Sequence, residues 1–404
     1  MNIFIIPSWY PSESNPHAGI FTKEQVIALA KIFPEHTFAL SHWGQNEEKF
    51  LLWAKDHIHN LKKVYSFYRH HAQQLSLAPN FIEYYTPALT WSRTFLKGNM
   101  KRIVQINKEH LLAFRKNHGD VAIIHAHTSH PAGWVAMELS KLYRIPYVIT
   151  EHMSPFPFTS YLTKSGKIDS WLKMPLLCSS CNIMVSPQQK EKLSQLKIPN
   201  LTYIPNLTDE SFFTPVENLG ATAGFHFFTL GRLEAQKGIP YLLEAIRRLK
   251  VANIKVLFRI GGEGSEKEAY QQLAKHYELQ DTIQWLGVLS REQVAEEMRA
   301  CQAFVLPSMH ENLPMVILEA IACGKPVITT ACGGPESIIH QHNGIVVPAG
   351  DSEALTRALI QFLTSVHEYE SETIRQDFLQ RYSRQVVCQQ ILEVYCSAIS
   401  EYRK

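Results

Sequence analysis

Short apolar runs alternate with longer amphipathic stretches along nearly the whole chain, and few architectures accept that alternation. The runs fall at 2–6 (NIFII), 36–40, 121–124 (VAII), 146–150 (PYVIT) and 182–185 (NIMV), then near 225–230 (FHFFTL), 255–260 (KVLFRI), 282–286, 303–306 (AFVL), 326–329 (PVIT) and 345–347. Such runs read as strands buried on both faces, with the stretches between them as helical crossovers of a parallel sheet. Ligands of open α/β sheets bind beyond the carboxyl ends of the strands. Pro7-Ser8-Trp9, His125-Ala126-His127, Glu151-His152 and Ser186-Pro187 stand at those ends.

With 404 residues the chain can build at least two cores. Ile204-Pro205-Asn206, then Thr214-Pro215 and the weakly patterned Glu217-Asn218-Leu219-Gly220-Ala221, read as an interdomain linker. One α/β domain is therefore expected over 1–205 and a second over 206–383. The last stretch, 384–404, carries Val386, Val387, Ile391, Leu392, Val394 and Tyr395 at helical spacing and predicts a terminal amphipathic helix.

A net charge of +3 excludes a dedicated nucleic-acid binder, yet it conceals a division. Residues 1–205 hold 22 basic and 13 acidic side chains, for +9, whereas 206–404 hold 18 and 24, for −6. Halves of opposite sign predict different partners. No run of about 18 apolar residues suggests a membrane span, and the opening MNIFIIPSWYP reads as a buried strand without a basic leader, so a cytoplasmic protein is expected. Seven cysteines is an odd number, and most lie in apolar stretches such as Ala322-Cys323 and Val387-Cys388, where a free thiol packs as a small hydrophobe. Cys178 and Cys181 form one CxxC, expected within a helix and lacking a second pair to complete a zinc site.

The stretch 305–337, VLPSMHENLPMVILEAIACGKPVITTACGGPES, is richest in chemistry. A strand ends at Pro307, a loop carries His310 and Glu311, and Pro314 is expected in the first helical turn, where its missing N–H costs nothing. Gly324 should end that helix in the left-handed conformation. The helix N-terminus offers free amides and a positive dipole end to a phosphate. Glu311 and Glu319, eight residues apart, could accept hydrogen bonds from sugar hydroxyls but would repel phosphates. Cations come from TLGRLEAQKGI, where Arg232 and Lys237 can neutralise a diphosphate between them. Alone, that pair also reads as two solvated surface cations.

In this order and at these spacings the residues resemble the retaining glycosyltransferases of family 4 over almost the whole chain. The matching pieces are Gly19 in PHAGIF, His127 in HAH, Glu151-His152 in TEH, Pro205-Asn206 in IPN, Arg232 and Lys237 in GRL and KG, Gly261 to Gly264 in GGEG, Glu311-x7-Glu319, and Gly333 to Ser337 in GGPES. The resemblance implies an α/β chain of the GT-B fold, two facing Rossmann-like domains with parallel sheets and a C-terminal helix returning to the first. It implies transfer of a hexose-type sugar from a nucleotide-diphosphate donor to a saccharide or lipid-linked acceptor, in cell-surface polysaccharide or glycolipid synthesis. Under it Arg232 and Lys237 bind the donor diphosphate, and Glu319 holds the ribose. Glu311, Asn312, Leu313 and Pro314 line the donor sugar and phosphate, with Gly262 in a donor loop. Gly19 lets the first loop approach the diphosphate, and His127, preferred to His125, meets a sugar hydroxyl near the reacting carbon. The Asn312-Leu313-Pro314 sequence departs from the small or aromatic residue that commonly follows the first glutamate.

Cleaving a sugar–diphosphate bond develops positive charge on the anomeric carbon and negative charge on the leaving group, which placed cations and amides stabilise. The resemblance implies same-face attack with the departing phosphate helping to take the acceptor proton; a retaining glycosidase would need paired carboxyls flanking the bond. None of the seven aspartates lies within two residues of another, so no Asp-x-Asp pair exists and neither a divalent metal nor another cofactor is expected. A zinc site from His125, His127, His130 and His152 is the rival reading. A dinucleotide oxidoreductase fails because Lys267 replaces the third glycine after GGEGSE. An epimerase or phosphorylase of similar fold, or a non-catalytic nucleotide-sugar binder, remains an alternative. Finally, Lys55, His57, His59, Lys62, Lys63, Arg69, His70 and His71 interleave with Trp53, Tyr65, Phe67 and Tyr68. This segment reads either as a solvated helix face or as a patch for anionic lipid headgroups, which would place the protein on the inner face of the membrane.

Overall fold

The computed structural model describes residues 1–402 except 13–14, 16–17, 45–46, 54–55, 92–94 and 217–224. Lys55 of the basic segment, Pro16 and His17 of PHAGIF, and the linker residues 217–221 thus lie outside the described residues. The chain forms two units, one of Met1–Val185, Gln189–Leu207 and Val387–Lys404, the other of Ser186–Gln188 and Thr208–Val386.

The first unit contains β1 (Asn2–Pro7), α1 (Ile20–Ile32), β2 (Thr37–His42), α2 (His57–Phe67), β3 (Gln73–Ala78), β4 (Phe81–Tyr85), α3 (Met100–His118), β5 (Ile123–His127), α4 (Trp134–Tyr143), β6 (Tyr147–Glu151), α5 (Ser170–Cys178), β7 (Cys181–Met184), α6 (Pro187–Gln195) and β8 (Leu201–Tyr203). Its sheet has the order β3-β4-β2-β1-β5-β6-β7-β8, parallel except where β3 runs antiparallel to β4. Alternation along β1 feeds two cores. Phe4 and Ile6 pack with Ile124, Ala126 and Phe114, while Ile3 and Ile5 pack with Val26, Leu29 and Phe38.

The second unit runs β9 (His226–Leu230), α7 (Ile239–Val251), β10 (Leu257–Gly261), α8 (Lys267–His276), β11 (Ile283–Gly287), α9 (Arg291–Ala300), β12 (Ala303–Leu306), α10 (Met315–Ala322), β13 (Val327–Ala331), β14 (Gly344–Pro348), α11 (Ser352–Ser365) and α12 (Ser371–Tyr382). Its parallel sheet is ordered β11-β10-β9-β12-β13-β14, the doubly wound arrangement. The last helix, α13 (Arg384–Tyr402), returns to the first unit and buries Val387, Ile391, Tyr395 and Ala398 in the core that holds Ile3 and Ile5. No helix among the described residues is long and apolar enough to cross a membrane.

Three strands, β3, β4 and β8, were not expected from apolar runs. β3 (QQLSLA) is an exposed edge strand and β8 has only three residues. In β4 (FIEYY) a carboxylate interrupts the pattern; Glu83 is buried there because Tyr10 Oη donates to it at 2.6 Å and His42 Nε2 lies at 3.1 Å. The CxxC does not lie within a helix: Cys178 ends α5 and Cys181 begins β7, because Ser179 turns extended after the helix. Nor is Ile204-Pro205-Asn206 a loose linker, since all three residues are buried.

Candidate functional site

Strand order reverses direction at β9/β12 in the second sheet and at β1/β5 in the first, and the crevice beyond such a point is where these folds bind ligands. In the second unit the loop after β9 carries Arg232 and Lys237, and the loop after β12 carries Ser308 and Glu311. Lys237 Nζ donates to Glu311 Oε1 at 2.6 Å, and Ser308 Oγ donates to the same oxygen at 2.8 Å. Separate donor contacts were expected of Lys237 and Glu311; the structure joins them in one ion pair. Their side chains retain only 20% and 10% of their exposure, and opposite charges so far removed from water hold each other. Arg232, by contrast, is 78% exposed and pairs with Glu234 at 3.2 Å. A pair so open to solvent is weak and readily exchanged for another anion.

Neighbouring loops brace this pair. Gly262 follows β10 at φ 123°, and a Cβ there would stand 1.9 Å from the Gly231 carbonyl oxygen, so only glycine lets the two loops cross. Gln236 Nε2 donates to the His310 carbonyl at 2.6 Å, and the Met309 amide donates to the Gln236 carbonyl at 2.8 Å. Ser308 and Gln236 carried no signal in the sequence beyond their places after strand ends.

Pro314 is not in the first turn of α10 but caps it in extended conformation, ψ 110°, and the helix begins at Met315. Leu313 and Pro314 are buried, and Asn312 is half-buried with its side-chain nitrogen unpaired. Glu319 lies half-buried on α10, and Gly324 ends the chain's helical course in the left-handed conformation at φ 68°. In the GGPES turn, the Cys332 and Gly333 amides donate to the Glu336 carboxylate at 3.2 and 3.0 Å, so these amides serve the turn itself.

In the first unit β5 runs through His127, so His125 and His127 share one face of the strand, their rings 4.4 Å apart. His125 is held on both sides, by Tyr395 Oη at 2.6 Å and Thr150 Oγ1 at 2.7 Å. His127 Nδ1 lies 3.0 Å from His152 Nε2 with the rings nearly parallel, while His127 Nε2 and His152 Nδ1 are buried without partners. Of His125 and His127, the latter thus has a buried ring nitrogen with no protein partner. Burial pushes His125 and His152 down to about 3, and burial with the neighbouring imidazoles keeps His127 well below the usual histidine range. All three are neutral near pH 7.

Beside them Glu151 accepts from the Ser129 amide and hydroxyl at 2.9 and 2.6 Å and from the Met153 amide at 2.9 Å. Burial raises its carboxyl despite these bonds. Phe21 packs on His152 with the rings tilted by 36° and 4.2 Å between centroids, and Gly19, at φ 66°, opens α1 against the Trp9 carbonyl. His130 turns away to Tyr161 Oη at 2.8 Å. Among the described residues no three His, Cys, Asp or Glu side chains group around a point that could hold a metal ion, so the four-histidine zinc set does not converge.

The model of Glycosyl transferases group 1 matches residues 217–376, and that of Glycosyltransferase Family 4 matches 64–212. The glycosyltransferase TuaC of Bacillus subtilis, named for teichuronic acid biosynthesis, is 27% identical over 381 residues, covering 90% of this chain and 89% of TuaC. The phosphatidylinositol N-acetylglucosaminyltransferase gpi3 subunit of Schizosaccharomyces pombe is 29% identical over 204 residues, 50% of this chain; the chain spans only 44% of that protein's length. The Anabaena protein Alr3699/HepE, in a crystal structure with UDP, superposes with a TM-score of 0.69 at 19% identity, covering 98% of this chain and all of HepE, which supports the two-domain α/β GT-B fold.

Proposed function

This chain belongs to the glycosyl transferases of group 1, and we propose that it moves a hexose-type sugar, with retention of configuration, from a nucleotide-diphosphate donor to a saccharide or lipid-linked acceptor. The product would enter cell-surface polysaccharide or glycolipid synthesis, as the name of TuaC suggests. The observation that carries the reading is the largely buried Lys237–Glu311 pair at the switch point of the second sheet. An ammonium held there is placed for a diphosphate, and the UDP bound by HepE supports a nucleotide donor.

As the sugar–phosphate bond lengthens, Lys237, Arg232 and the first amides of α10 meet the charge growing on the leaving diphosphate. With these groups at the diphosphate, the reading requires no divalent cation. Glu311 holds the Lys237 ammonium in place and, through its second oxygen, accepts from the donor sugar, while Glu319 accepts from the ribose hydroxyls. In the first unit, neutral His127 offers Nε2 to a sugar hydroxyl, and Glu151 fixes the Ser129 and Met153 backbone around it. The acceptor hydroxyl attacks the face the diphosphate leaves, and its proton passes to the departing phosphate oxygen.

A panel of labelled nucleotide-diphosphate sugars tests this reading. At least one donor should yield labelled product whose anomeric configuration, read by proton NMR, matches the donor. Glu319→Ala should lower kcat/KM about 10- to 100-fold, the range for a lost hydrogen bond to a charged group. Nucleotide-sugar binding without transfer would leave a non-catalytic binder, and an inverted product would overturn retention.

A further inference from the structure

Helix α2 is built inside out. Asp56 caps it by accepting from the His59 amide at 3.1 Å, and one side is seated: Phe67 packs edge-on to buried Phe50 at 5.9 Å, Lys63 Nζ donates to the Leu51 carbonyl at 3.1 Å, and Asn60 exchanges bonds with the Trp53 backbone. Yet none of its residues is buried. The opposite side carries Ile58, Leu61, Tyr65 and, one residue past its end, Tyr68, in steps of three, four and three residues, at 72, 73, 67 and 75% exposure. An isolated helix of this length is marginal in water, and a solvent-facing stripe of four large apolar side chains adds nothing to its stability there.

Among the described residues two cations flank the stripe, and the carboxylate nearest in sequence, Asp56, is tied to the helix N-terminus. Lys62 and Arg69 are exposed beside it, with the Arg69 guanidinium 5.3 Å from the Tyr65 ring centroid. From His57 to Asn80 the sequence holds Lys62, Lys63, Arg69 and four histidines but no carboxylate. The adjoining edge strand β3 exposes Leu75 and Leu77. Apolar side chains on the outer face, cations at its margin and amphipathic tyrosines between them match a helix lying in the plane of a lipid interface. A protein partner of matching shape would need carboxylates for these cations; an anionic bilayer supplies both the negative charge and the apolar depth.

We propose that the outer face of α2, formed by Ile58, Leu61, Tyr65 and Tyr68 with Lys62 and Arg69, seats this protein on an anionic lipid bilayer. The inference deepens the functional reading by fixing where a lipid-linked acceptor is met, and rests on it only for that purpose.

Flotation of the full chain with vesicles of 30% phosphatidylglycerol in phosphatidylcholine, and with phosphatidylcholine alone, tests it. Wild type should float with the anionic vesicles, and weaken as salt is raised. Lys62→Ala and Arg69→Ala should each weaken binding about fivefold. Ile58→Asp combined with Leu61→Asp should abolish it with the melting temperature unchanged, because neither side chain is buried. Equal binding by that double variant, no binding by wild type at low salt, or a dimer in sedimentation that the double variant dissolves would each overturn the proposal, the last by showing that a second copy covers the stripe. Donor hydrolysis in the same preparations separates the two readings: vesicle binding lost with hydrolysis kept refutes only the membrane seat, while no hydrolysis in wild type refutes the donor reading.

Discussion

The imidazoles of the first unit show how one residue can be legible by type and not by environment. The sequence placed His125 and His127 after a strand; it could not say that the strand continues through both, so that they share a face, or that Tyr395, 270 residues away, would hold one of them. Their depressed basicity has a testable consequence. In the unfolded chain these histidines bind protons below about pH 6.5, whereas in the fold His125 and His152 do so only near 3. Between those limits the unfolded state binds more protons, so stability is full above pH 6.5 and falls as pH drops. Each such imidazole should cost about 2 kcal/mol at pH 5. Melting temperatures from pH 7.5 to 5 should decline, and His125→Gln should flatten the slope. A slope identical to wild type would show that His125 does not contribute.

Among elements, α13 joins the sequence pattern to the fold most directly. Its apolar spacing predicted an amphipathic helix, and the structure seats that stripe in the first unit's core, with fully buried Tyr395 on His125. Tyr395→Phe removes one hydroxyl and leaves a buried ring nitrogen unpaired, at a cost of about 1–3 kcal/mol in denaturant unfolding. Truncation after Ser383 uncovers the core around Ile3 and Ile5 and should leave the first unit unable to fold, read as loss of soluble protein. A truncated chain melting like wild type would contradict the docking seen here. The elements that escaped sequence reading are those whose pattern is set by neighbours. β4 hides a buried carboxylate satisfied by Tyr10 and His42, β3 is an exposed edge, and the outward apolar face of α2 cannot be told from a core-facing stripe by periodicity.

At the scale of the molecule, both parallel sheets and the βα rhythm were legible because runs buried on two faces must be continuously apolar. The candidate donor site was legible as an ordered set of residues, but not as the ion pair between Lys237 and Glu311, since charge pairing across two loops leaves no trace in spacing. That pair also resolves an apparent conflict: the half of the chain with net charge −6 is the half proposed to bind an anionic donor. On the proposed reading one lysine, one arginine and a helix terminus, placed at a strand switch point, outweigh a net sign spread over the surface and screened by salt. Diphosphate binding on this reading is a local property, and calorimetric titration with nucleoside diphosphates measures it. Wild type should bind at least one nucleoside diphosphate with measurable heat, and Lys237→Ala should weaken that binding about tenfold or more while remaining folded by circular dichroism at the titration temperature. Binding by Lys237→Ala as tight as wild type, or no nucleoside diphosphate bound by wild type, would contradict the account.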